Sequence, residues 1–183
     1  MDLVFLDIET TGLDFEKGDR IIEIAGLKLT CSGKILTFQE LVNPQRSIPD
    51  SAKLIHHITD EMVKSALKIE EVIKKFEDFI KDSFLLGYNL EFDLSFLKNY
   101  FSPHFLKERI LIDVLKITKF CFPNFKKYSL ENVCRELNLP LPSHRALQDC
   151  WATVRVFFMC IEHLLRKGYR DFEALYKDFG IRI

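Results

Sequence analysis

The sequence predicts an α/β fold built on a mixed sheet, and three observations predict it. The run Leu3–Ile8 is almost wholly apolar and rich in β-formers, which suits a central strand covered on both faces. Two more strand-like runs follow as a meander, and beyond Pro44 and Pro49 the apolar period becomes helical. Helices then alternate with short apolar runs, as in α/β chains. With 183 residues, 48% of them hydrophobic and seventeen of them Phe, the chain can bury a real core, and a single domain over 1–183 is the economical organisation.

The elements follow in order. Arg20–Thr30 (RIIEIAGLKLT) and Ile35–Val42 (ILTFQELV) read as two strands joined into a hairpin at Cys31-Ser32-Gly33-Lys34. Ile69, Val72, Ile73, Phe76, Phe79 and Ile80 recur at three- and four-residue steps, an amphipathic helix with acids and lysines on its outer face. Phe84–Gly87 is a short buried strand, Glu91–Phe101 a helix and Arg109–Asp113 a fifth strand. Ser129 caps a helix that runs to Leu137. Leu147, Cys150, Val154, Phe157, Ile161 and Leu164 lay out a long helix, and Arg170–Phe179 a short one.

Composition excludes several classes. No stretch approaches the roughly 18 apolar residues of a membrane span, so no membrane partner is expected. The amino terminus has no basic region and reaches Asp7 and Glu9 early, unlike a signal peptide. Five Cys without any CxxC argue against a disulfide framework or structural zinc, and for reduced, buried thiols in a cytoplasmic protein. A net charge of −1 speaks against coating duplex DNA by bulk attraction, though not against gripping a few nucleotides at an end.

Three clusters carry chemistry. Asp7 and Glu9, two apart at the end of the first strand, project from the same face. Paired acids on a greasy strand are costly unless a cation lies between them; alternatively the strand ends at Leu6 and both are solvated. Thr10-Thr11-Gly12 then forms a tight exit that lets backbone approach a ligand closely. In Gly87–Asp93, Asn89 and Asp93 share a helical face, where Asp93 is either a dipole partner or a ligand. In Ser143–Asp149, His144 sits in the turn after Pro142, and Asp149 lies early in the long helix with small residues around it.

DIETTGL (7–13), IHHIT (55–59), YNLEFDLSFL (88–97) and HRALQD (144–149) occur in an order and at separations that resemble the DEDDh class of 3′→5′ exonucleases. That class includes the proofreading subunit of bacterial DNA polymerase III, ribonuclease T and oligoribonuclease. The resemblance covers roughly residues 1–165 and implies a ribonuclease-H-like fold, a five-stranded mixed sheet flanked by helices. It implies that Asp7, Glu9, Asp93 and Asp149 hold two divalent cations, Mg²⁺ or Mn²⁺, and that His144 is the general base. It also implies that Thr10, Leu13, His56 and Phe92 contact the terminal nucleotides, with core packing as the competing reading for Leu13 and Phe92. The sister DEDDy class has a Tyr four residues before the last Asp, where this chain has Arg145. Tyr88, His57 and Gln148 depart from residues common in the family (His, Gly and Gly) without removing a ligand.

Charge chemistry agrees with the resemblance. Four crowded carboxylates repel, and hard cations that prefer oxygen ligands cancel that charge. His144 suits the removal of a proton from the attacking water. The function expected is 3′→5′ hydrolysis of single-stranded or frayed DNA or RNA 3′ ends to nucleoside 5′-monophosphates, DNA slightly favoured. A silent binding module and a small-phosphoester hydrolase are the alternatives. Lys107, Arg109, Lys116, Lys119, Lys126 and Lys127, with only Glu108 and Asp113 among them, form a basic stretch that either tracks the phosphate backbone or is a solvated face. Asp113 reads as a cap for the next helix rather than a ligand. About twenty residues follow the last long helix, no evident tail for a polymerase, which favours a stand-alone exonuclease over a replicase subunit. Several family members pair as homodimers, and no feature of this sequence decides that point.

Overall fold

The computed structural model describes residues 1–107 and 109–182. Glu108, one of the two acids within the basic stretch, lies outside the described residues. The strands are β1 (Asp2–Thr10), β2 (Ile21–Leu29), β3 (Ile35–Leu41), β4 (Ser83–Gly87) and β5 (Leu111–Asp113). They form one sheet in the order β3-β2-β1-β4-β5, antiparallel across β3-β2-β1 and parallel across β1-β4-β5. The five-stranded mixed sheet is thus as expected, and its apolar first strand is central.

Helices cover both faces: α1 (Asp50–His56), α2 (Asp60–Val63), α3 (Ile69–Ile80), α4 (Leu90–Leu97), α5 (Pro103–Lys107), α6 (Val114–Cys121), α7 (Leu130–Glu136), α8 (Ala146–Arg166) and α9 (Phe172–Phe179). The alternation of β1 divides the core. Val4, Leu6 and Ile8 pack with Val72, Phe76, Leu94 and Phe96 of α3 and α4. Phe5 packs the other way, its ring edge-on to Phe157 of α8 at 5.5 Å between centroids. Asp7 and Glu9 share the parity of Phe5 and so lie on the α8 side.

Several elements differ from the sequence reading. Helix α4 stops at Leu97 rather than Phe101, because the chain tightens into i→i−3 hydrogen bonds (Asn99 N to Phe96 O, Tyr100 N to Leu97 O) ahead of Pro103. Strand β5 starts at Leu111 rather than Arg109; the Arg109 guanidinium lies 4.0 Å over the Phe105 ring and donates to Ile80 O. Helices α1 and α2, of seven and four residues, were not anticipated, being too short to show a period. Asp113 does cap α6, accepting from Leu115 N at 2.8 Å. Cys121, Cys134, Cys150 and Cys160 are buried, but Cys31 is exposed at the hairpin turn, where two strands reverse and no core lies beneath. Among the described residues no helix is long and apolar enough to cross a membrane.

Candidate active site

Asp7 and Glu9 reach from β1 and Asp149 from the first turn of α8, and their carboxylate oxygens lie within 4.8 Å of one another. A register shift lies between Glu9 and Thr10, just beyond them, and β1 then closes its pairing with β2 at Thr10 and Ile21. Asp93, in the first turn of α4, is only 3% exposed and reaches back to this strand, its Oδ1 accepting from Ile8 N at 3.1 Å. Ile8 separates the two β1 acids, so Asp93 is bound to the backbone that carries them. The three-acid cluster is thus tight, and the fourth acid adjoins it with one oxygen already engaged.

The acids do not tolerate each other well. Burial, then the charges of Asp93, Asp149 and Glu9, push the Asp7 carboxyl well above the usual carboxylate range. Burial, then Asp149, Glu23 and Asp93, raise Glu9 to about 8. Burial raises Asp93 and Asp149 as well, Asp149 against hydrogen bonds from the turn before it. An all-oxygen donor set that is strained by its own negative charge fits hard divalent cations.

His144 is exposed on the turn leading into α8, with a left-handed backbone (φ 53°). The amide before it, Ser143 N, donates to Asp149 Oδ1 at 3.1 Å, and the His144 charge is felt at Asp149. Base candidate and acid are therefore tied through six residues of chain.

Two residues that the sequence reading did not place in the site belong beside it. Glu23 faces Glu9 across the β1–β2 pair and is fully buried. It accepts from Arg145 Nη2 at 2.7 Å, Arg145 Nε at 3.1 Å, Ala146 N at 3.0 Å and Gln39 Nε2 at 2.9 Å. Burial pushes its carboxyl up, but the Arg145 fork and these donors outweigh it and hold it below the usual range. With both oxygens taken, Glu23 has no vacancy for a cation. A lone acid inside the apolar run IIEIAGL was the available signal.

The expected substrate residues differ in exposure. Leu13 is 83% exposed, so core packing does not account for it. Phe92 is half-buried, its ring 5.4 Å from Phe96. Thr10 is buried and donates to Gly12 O. His56 is 2% exposed; its Nδ1 accepts from Ile58 N at 3.0 Å, which places the proton on Nε2, and Nε2 has no partner among the described residues. The glycine in the loop after β1 also has a packing cause. A Cβ at Gly12 would lie 2.3 Å from Asp19 Oδ2, and Asp19 accepts from Thr11 Oγ1 and Asp14 N to shape the loop that carries Leu13.

The departures from the family pattern are local. Tyr88 donates to Tyr128 O at 2.8 Å, bracing a loop. His57 ends α1 at φ 58°, a conformation that glycine adopts freely. Gln148 is exposed on α8.

A family model described as an exonuclease, RNase_T, matches residues 4–157. Among curated relatives, the DNA polymerase III PolC-type of Bacillus cereus is 31% identical over 180 residues, covering 97% of this chain and 12% of that protein. The PolC-type polymerase of Thermotoga maritima is 34% identical over 177 residues, covering 95% and 13%. The chain therefore spans about an eighth of the length of these relatives. Among solved structures, exonuclease X in complex with 5′ overhanging duplex DNA superposes with a TM-score of 0.72 at 27% identity, covering 96% of this chain and 98% of that one. The nuclease domain of 3′hExo, a DEDDh family member bound to rAMP, shares the fold with a TM-score of 0.70 at 22% identity, over 91% and 92%.

Proposed function

This chain belongs to the RNase_T exonuclease family, and from that premise we propose that it is a metal-dependent 3′→5′ exonuclease. Its substrates in this reading are single-stranded or frayed 3′ ends, and its products nucleoside 5′-monophosphates. The observation that carries the proposal is the convergence of Asp7, Glu9 and Asp149 within 4.8 Å, beside Asp93 and the exposed turn of His144. Two Mg²⁺ or Mn²⁺ ions, when bound, would supply the positive charge that stabilises the attacking and leaving oxygens of an in-line phosphoryl displacement. Asp7, Glu9 and Asp149 would hold them, with the free oxygen of Asp93 completing the set. His144 takes the proton from the attacking water; its exposure leaves it free to pass that proton to solvent.

In this reading Leu13 offers an exposed apolar side chain and Phe92 a half-buried ring to the terminal bases; such contacts tolerate any base. His56 contributes its Nε2–H and Thr10 the backbone around it. The test is a 3′-to-5′ ladder: a 5′-labelled single strand incubated with Mn²⁺ should shorten one nucleotide at a time and release 5′-mononucleotides. Loss of the 5′ label first, or an intact strand, would overturn the reading.

DNA is the polymer we favour, because the curated relatives are DNA polymerases and exonuclease X was solved with DNA. RNA is the second reading, supported by the rAMP in the 3′hExo domain. Matched strands should show DNA cut several-fold faster; a reversed ratio would assign RNA. Editing beside a polymerase falls within the same proposal, and mismatched primer ends should then be shortened faster than paired ones.

Two members of the basic stretch already have protein partners. Arg109 is tied to Phe105 and Ile80, and Lys116 pairs with Glu91 at 2.9 Å. Lys126 and Lys127 are exposed and remain candidates for the strand. Replacing both with Ala should flatten the dependence of log affinity on log salt by about one to two. An unchanged slope would remove them from the footprint.

A further inference from the structure

The turn that carries His144 is held at both ends by carboxylates, only one of which belongs to the proposed cation site. On its amino-terminal side Ser143 N donates to Asp149 Oδ1 at 3.1 Å. On its carboxy-terminal side Arg145 forks onto Glu23 through Nε and Nη2, and Ala146 N donates to the same carboxylate. Between the two anchors sits His144 with a left-handed backbone, which a non-glycine residue keeps only where its surroundings dictate it. No side chain caps α8 at Arg145, so the Glu23 contact to Ala146 N also serves as the first anchor of the helix that bears Asp149.

Glu23 is well placed for this work. It lies on β2 in register with Glu9, so the strand that presents a cation ligand and the strand that presents the anchor are one rigid ladder. Gln39 on β3 donates to Glu23 Oε1 and fixes the carboxylate from the other side. A fully buried acid with four donors has one geometry available. Arg145 is the only residue between His144 and α8, so whatever fixes its side chain fixes the direction in which the histidine leaves the turn.

We propose that Glu23 and Arg145 form a positioning pair that holds the His144 turn over the acid cluster. The pair touches neither substrate nor cation; it acts through the histidine, and the claim rests on the exonuclease reading above. It sets where the base stands relative to Asp7 and Glu9, while Asp7, Glu9 and Asp93 keep their own supports in β1 and α4 and Asp149 is carried by the body of α8, which packs on β1 through Phe157.

The test has two arms, run on the full chain. The first is hydrogen exchange over residues 141–148 in the wild type, Glu23→Gln and Arg145→Lys. Exchange there should quicken at least about tenfold in Glu23→Gln and less in Arg145→Lys, which keeps the charge without the fork, while α3 and β1 stay protected. Unchanged protection overturns the proposal. The second arm is turnover. Glu23→Gln should lower kcat about 10- to 100-fold, with KM and the affinity for Mn²⁺ each within about threefold of wild type. Placed in a His144→Ala background, the same substitution should cost less than about twofold, because its effect passes through the missing side chain. Equal losses in both backgrounds, or a loss of Mn²⁺ binding, overturn the proposal. Should Glu23→Gln not fold, Arg145→Lys and Arg145→Gln, at a partly exposed position, give the same readings. A wild-type protein that shortens no strand would sink the exonuclease reading by itself, and the exchange arm would still decide whether the pair pins the turn.

Discussion

Asp7→Asn is expected to abolish strand shortening, by about 10³-fold or more, while making the metal-free protein more stable. Both effects have one origin. The Asp7 carboxyl is raised well above the usual range, first by burial and then by Asp93, Asp149 and Glu9. A carboxylate with a raised folded value costs nothing below its unfolded pKa, and its cost grows as the pH climbs toward the folded value. Glu9, whose ordinary value of 4.5 is raised to about 8, sets the window: the metal-free protein loses stability between about pH 4.5 and 8. Asn cannot ionise and so carries none of this cost, and Asp7→Asn should raise the Tm at pH 8 by about 5 °C and change it little at pH 4. Added Mn²⁺ should lift the wild-type Tm at pH 8 by mass action and release protons as it binds, but lift the variant far less. Melting curves at the two pH values, with and without Mn²⁺, check this. A variant that melts lower than wild type without metal at pH 8 would mean that the acids are not in conflict.

His144→Ala is expected to lower kcat about 10²- to 10⁴-fold, the usual share of a positioned general base, with KM and Mn²⁺ affinity nearly unchanged. The side chain is exposed, so its loss opens no cavity. The left-handed backbone at φ 53° makes His144→Asn a useful companion, since Asn adopts that conformation more readily than Ala. Asn should be as inactive as Ala and closer to wild type in Tm. Added imidazole should restore part of the turnover in the Ala variant. Wild-type rates in both variants, with contaminating nuclease excluded, would leave proton removal to some other group.

How much of this was legible in the sequence depends on the length of each signal. Helix α3 and helix α8 repeat their apolar stripe over several turns, and β1 is a continuous apolar run, so period and composition sufficed. Helices α1 and α2 span fewer than two or three turns, and no stripe can emerge over that distance. Asp113 could be assigned as a cap because the helix it starts follows it directly. Glu23 was missed for the opposite reason: its partner Arg145 is 122 residues away, and nothing local to either residue announces the other.

The chemistry of the site is a property of residue types in order: acids at 7, 9, 93 and 149 and a histidine at 144, in motifs whose local geometry is set by strand and helix periods. Those periods determined that Asp7 and Glu9 share a face and that Asp149 stands on the inner stripe of a long helix. Which acids meet was decided by packing alone. The parallel β1–β4 pairing and the seating of α8 on the sheet bring three carboxylates within 4.8 Å, tie Asp93 to the backbone of Ile8 and lock the His144 turn onto Glu23. The physical reason is range: hydrogen-bonding periods act over a few residues, whereas electrostatic conflict and its relief depend on distances in space that no local rule carries.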